Sequence, residues 1–161
     1  MGTTIKVDGR SIAPVRRKIH AMRQRTGNLM AAWEALLDWF ADQERRQFGS
    51  RGARWRTAWP ELAASTVHEK REQGYSTDTL VRTSDLLRSL ADRPMSVERI
   101  LPHEVTAGTR ITYAKYHQYG TKRMPRRTLI SAEQVARENA ATSAVVSWII
   151  TGRADVHAEG G

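Results

Sequence analysis

The sequence predicts an α+β domain: a small antiparallel sheet packed by a long N-terminal helix, or helix pair, and a C-terminal helix. Two observations carry this. Apolar residues recur at spacings of three and four near both ends of the chain, at Val15, Ile19 and Met22, at Leu29, Trp33, Leu36, Leu37 and Phe40, and at Val145, Trp148 and Ile149, the period of an amphipathic helix. Between them, Val105-Thr106-Ala107-Gly108-Thr109-Arg110 alternates with the period of a half-buried strand. Helices at the ends and strands in the middle give a layered α+β arrangement.

The elements follow in order. Thr4 to Asp8 alternates and is expected to add a strand at a sheet edge, closed by a turn at Asp8-Gly9. Pro14 suits a first helical turn, where its missing N–H costs nothing. Thr26-Gly27-Asn28 is a poor helix interior, so two helices are expected, over 11–25 and 28–47, or one bent helix. The first is strongly basic, with Arg16, Arg17, Lys18, Arg23 and Arg25 and no acid. Trp33, Trp39 and Phe40 of the second are expected to pack in the core.

Phe48 to Gly52 is a loop by composition, and Pro60 stops any helix before it. Residues 65–71 form a turn or two of helix, followed by loop. Thr83 or Ser84 is expected to cap a helix beginning near Asp85, with Leu86, Leu87 and Leu90 on its buried face. Met95–Leu101 is read as a strand ending in a turn at Pro102-His103. The alternation that starts at Val105 continues through Ile111, Tyr113, Lys115 and His117, with a bulge or tight connection at Gly108-Thr109. Ser131 is expected to cap a last helix, with Gln134 as capping-box partner, ending near Gly152. One domain over 1–152, with a frayed tail at 153–161, is the expected organisation.

The chain has 161 residues, 40% hydrophobic, and no cysteine. Thiolate metal sites, disulfides and cysteine nucleophiles are thereby excluded. Its longest apolar run is far short of the roughly 20 residues that cross a bilayer, and its first residues lack a signal-peptide core; cytoplasmic synthesis and no membrane partner are expected. Net charge is +9, which favours contact with nucleic acid or another polyanion.

The five histidines show no i, i+4 pair of the kind that binds metal on a helix, and no phosphate-loop, dinucleotide or nucleophile-elbow motif occurs. No catalytic, cofactor-binding or metal-binding residue is therefore assigned. What stands out is a segment without any acid from Val105 to Ile130. It holds the aromatic knot Tyr113, Tyr116, His117 and Tyr119, then a basic loop with Lys122, Arg123, Arg126 and Arg127. His117, with no acid nearby in sequence, is read as structural or as an interface residue.

The order of these pieces resembles a known family. Phe48, Arg54-Trp55, Pro60, Leu62, Thr66 and Lys70 are similar to an "F…G.rW.pL…T…K" pattern. Leu80 to Leu90 is similar to "L.rTG.L..Sl". Gly108-Thr109 with Tyr113-Ala114 and Tyr116 to Gly120 is similar to "vGt…YA..HqfG", and Met124 to Leu129 to "iPaRpflg". The pattern, spanning about Gly27 to Trp148, is that of tailed-bacteriophage virion-morphogenesis and tail-completion proteins. Ser84 stands where the family has glycine, which favours simple capping over a left-handed turn. Arg126 and Thr128 flank the family's arginine, making the loop more basic.

The resemblance implies a non-enzymatic virion protein at the head–tail interface, assembled in the host cytoplasm and acting in tail completion or head–tail joining. It implies a homo-oligomeric ring around the DNA channel, with connector, tail terminator and tail tube proteins as partners and non-specific contact with packaged DNA. In that setting the Lys122–Arg127 loop faces DNA or the next subunit. The Tyr113–Tyr119 stretch and the segment with Trp55 and Trp59 serve core and subunit contact. The alternative is a non-specific nucleic-acid-binding module, in which the tyrosines stack on bases beside the basic loop.

Overall fold

The computed structural model describes residues 12–156; the strand expected at Thr4–Asp8 lies outside them. The fold is α+β. Helix α1 (Ala13–Thr26) is followed by α2 (Met30–Gly49), a 3-10 turn (Ala53–Trp55), α3 (Ala64–Glu72), α4 (Asp85–Ala91), β1 (Val97–Leu101), β2 (Glu104–Gly108), α5 (Ala114–Tyr119), α6 (Ala132–Arg137) and α7 (Ala140–Thr151).

The helix pair separates at Gly27-Asn28, as the sequence indicates. Gly27 keeps a helical φ of −74°; the break comes from Asn28, whose Oδ1 accepts a bond from the Met30 N–H at 3.0 Å and opens α2. Along α2, Ala32, Leu37, Ala41 and Phe48 are buried, and so are Gln43, Glu44 and Gln47. α2 packs on α7 and α4 and touches both strands; it is the axis of the domain. The main apolar cluster gathers Phe48, Trp59, Leu86, Leu90, Ala114 and Leu129. Trp59 meets Phe48 edge to face at 5.2 Å, a favoured aromatic geometry. Trp39 meets the fully buried Trp55 in the same way at 6.3 Å.

β1 and β2 pair antiparallel from Val97↔Gly108 to Leu101↔Glu104, so Pro102-His103 is a two-residue connection, as expected. The alternation beyond Gly108 does not continue as strand. β1 begins at Val97, so residues after Gly108 have no partner strand among the described residues. Ser96 Oγ instead accepts the Arg110 N–H, and Thr109 Oγ1 accepts the Ile111 N–H, turning the chain away from the sheet. Tyr113, Lys115 and His117 then fall on or beside helix α5, which buries Ala114. Over so few residues the two periods give similar patterns, and the missing partner strand decides between them.

Two further expectations are corrected. Neither Thr83 nor Ser84 makes a side-chain cap at α4. Ser84 lies in the left-handed region at φ +63°, keeping the turn that glycine would adopt freely, while the Thr83 hydroxyl donates to the Asp85 carboxylate. The last helix is two helices, because Asn139 at φ +50° breaks α6 from α7. Ser131 does precede α6, its carbonyl accepting the Val135 N–H; the side chain of the expected partner at 134 lies outside the described residues. α7 ends at Gly152, left-handed at φ +78°, a common helix stop.

Candidate functional site

A cleft of about 1000 Å³ lies between α3, the start of α4, α5 and the basic loop. Its apolar lining includes Leu62, Leu80, Leu86, Met124 and Pro125, and its cations are Lys70, Arg82, Arg123 and Arg127. Residues 61 to 127 thus meet in one place, and each wall has an identifiable fastening.

The first fastening is Lys70, 7% exposed. Its ammonium donates to the carbonyls of Asp78, at 2.6 Å, and Val81, at 3.4 Å, tying the loop before α4 to α3. Burial lowers its pKa, more than the nearby Asp78 carboxylate raises it. The second is Arg127, 6% exposed, whose guanidinium donates to the carbonyls of Pro60 and Glu61. Both cations hold backbone carbonyls, and Glu61, Glu69 and Asp85 also line the cleft, so its charges are mixed.

The third fastening is Gln118. Its amide oxygen accepts the N–H groups of Leu129 and Ile130, and its amide N–H donates to the Ile130 carbonyl. With Arg127 N–H donating to the His117 carbonyl at 2.8 Å, the basic loop is stapled along α5. Gly120 closes the staple at φ +75°, where an added Cβ would stand 3.0 Å from the Arg126 nitrogen; only glycine combines that φ with that approach.

His117 packs edge to face on Tyr113 at 6.0 Å, and its Nδ1 is buried with no partner among the described residues. Burial first, then the Arg127 charge, lowers its pKa and keeps the ring neutral at pH 7. Burial, then the Asp85 charge, pushes the Tyr113 phenol up. Asp85 is held below the usual carboxylate range by hydrogen bonds from Thr83 and Arg88. Among the described residues no group of His, Asp and Glu is placed to hold a metal, and no helix is long and apolar enough to cross a membrane.

The structure sorts the ten residues singled out by sequence. Tyr113, His117, Arg123 and Arg127 line the cleft. Tyr116, with Lys115 over its ring at 5.2 Å, and Tyr119, 77% exposed, stand out from α5 into solvent. Lys122 and Arg126 are exposed; Arg126 also donates to the Gln118 carbonyl. Trp55 and Trp59 take the core part of their expected role: Trp55 Nε1 donates to Glu44 at 3.2 Å and Trp59 Nε1 to the Thr128 carbonyl at 2.8 Å. Arg127 is buried among backbone carbonyls and offers no free charge to a lumen. The sequence reading passed over Lys70 and Gln118 as chemistry, although both belong to the quoted motifs; their roles depend on backbone groups about ten residues away.

No family model, curated protein or solved structure matches this chain.

Proposed function

We propose that this chain is a non-enzymatic assembly subunit, repeated around a closed ring. More particularly, we propose a tailed-bacteriophage virion protein at the head–tail interface, acting in tail completion or head–tail joining, with connector and tail proteins as neighbours. One observation carries the reading: the four motif blocks of the resemblance, scattered from Phe48 to Leu129, converge. Phe48, Trp59, Leu86, Ala114 and Leu129 share one apolar cluster, and Thr66, Lys70, Thr83, Tyr113, His117 and Arg127 share one cleft. Lys70, Gln118 and Arg127, each within a motif block, fasten the walls of that cleft to backbone groups of other segments.

In this reading the exposed cations Lys122, Arg123 and Arg126 face packaged DNA or the next component, holding phosphate without reading bases. The test is the solution mass of the purified protein by light scattering at low and high salt, with gold labelling of virions from the source host. A ring-sized mass, or label at the neck or tail end, supports the proposal. A monomer at both salts that binds DNA tightly and never labels virions overturns it in favour of the nucleic-acid-binding module. A Lys122→Ala, Arg123→Ala, Arg126→Ala triple variant should keep wild-type stability and lose the DNA or neck contact.

A further inference from the structure

Helix α1 has no buried residue, which is unusual for a fourteen-residue amphipathic helix. Ile12, Val15 and Ile19, at helical spacing just before and along it, are 47%, 54% and 60% exposed. At its far end Arg25 donates to the carbonyls of Ile149 and Ile150, and among the described elements its principal packing partner is α7. The stripe that the sequence marks as a core face therefore overhangs the domain. The same helix carries Arg16, Arg17, Lys18, Arg23 and Arg25 with no acid.

The domain also holds a surface of opposite character. Met30, 39% exposed, shares a face of α2 with Glu34 and Asp38, one and two turns on. Among the described residues Arg93 is the one cation paired with three carboxylates, Glu34, Asp38 and Glu98, so these four groups carry a net charge of minus two on a chain of net charge +9. α7 also packs on α2 and leaves Val146 and Ile150 46% and 59% exposed.

We infer that α1 is the arm by which one copy of this chain holds the next. Its apolar stripe lies on Met30, Val146 and Ile150 of a second copy, and its cations meet that copy's Glu34–Asp38–Glu98 cluster. Charge selects this occupant: placing α1 against another α1 would bring ten cations together, whereas the acidic cluster is the complement that the chain itself supplies. The contact is heterologous if copies follow one another around a ring and reciprocal if two exchange arms. The inference adds a surface to the proposed assembly but does not need its phage setting.

The full chain has no cysteine, so introduced thiols report only on themselves. Ile19→Cys and Asp38→Cys chains are mixed, oxidised across a concentration series up to the solubility limit, and read on denaturing gels. The expected result is a covalent dimer from the mixture and little from Ile19→Cys alone; the double variant should give a ladder for a ring and dimers alone for exchanged arms. Because α1 holds no buried residue, Arg16→Glu with Arg17→Glu in the Ile19→Cys chain should fold normally and abolish the cross-link, and Glu34→Lys in the Asp38→Cys chain should restore it. Absence of cross-linking at every concentration overturns the inference, as does dimer from Ile19→Cys alone as abundant as from the mixture. A positive cross-link with unlabelled virions would keep the inference and remove the phage reading.

Discussion

Glu44→Gln should make this protein more stable at neutral pH and remove much of its pH dependence. Glu44 lies on α2 with no exposed surface. Its Oε1 accepts the Trp55 indole N–H at 3.2 Å, and its Oε2 has no partner among the described residues. Burial pushes its pKa up to about 8, against a smaller lowering by the Trp55 hydrogen bond. The folded state thus binds a proton that the unfolded chain, with an ordinary carboxyl near 4.5, releases. Stability from this group is complete below the unfolded value and is lost as pH rises toward about 8. At about 1.4 kcal/mol per pH unit, the loss between pH 5 and pH 8 is roughly 3.5 kcal/mol.

Glutamine keeps the shape and the acceptor for Trp55 and cannot ionise. Urea unfolding from pH 5 to 9 should show wild type falling relative to Glu44→Gln by about that amount, with the two proteins close together at pH 5. His117 works in the opposite sense: its lowered pKa removes stability as pH falls below its usual range. It is common to both proteins and cancels in the difference. Parallel pH curves, or a Glu44→Gln protein less stable than wild type at pH 8, would refute the argument that a buried, protonated carboxyl sits against Trp55.

Three other outcomes follow from the same contacts. Gln118→Ala removes three hydrogen bonds to the backbone of Leu129 and Ile130; it should cost about 2–3 kcal/mol and speed amide exchange at those two residues, measurable by hydrogen-exchange mass spectrometry. Ser84→Gly should raise stability by about 0.5–1 kcal/mol, because glycine occupies φ +63° without the penalty of a Cβ; calorimetry would show it as a higher Tm. Arg54 grips Glu138 through two bonds, at 2.7 and 2.6 Å, in a partly buried site. Arg54→Ala should cost about 1–3 kcal/mol, and Arg54→Lys should not restore it, since the two-pronged geometry belongs to the guanidinium; chemical denaturation of the three proteins decides.

The sequence by itself determined the α+β class, the helix break at Asn28, the β1–β2 hairpin and the stop at Gly152. Each is set by residues within a few positions of one another: an apolar period, an asparagine that bonds its own backbone, a glycine that tolerates positive φ. It also marked the stretches that build the cleft, because their residue types are unusual for filler. The tertiary structure decided the rest. Ala114 to Tyr119 became helix because β1 begins at Val97 and offers later residues no ladder to extend. Ser84 keeps a left-handed turn that its side chain disfavours, at a site where the chain must reverse into α4. Trp55 and Trp59 went inward because Glu44 and the Thr128 carbonyl await their indole N–H groups. The apolar residues Ile12, Val15 and Ile19 at the start of α1 stay exposed. Local pattern fixes which face of an element is apolar; only the arrangement of distant elements fixes whether anything in the same chain covers it.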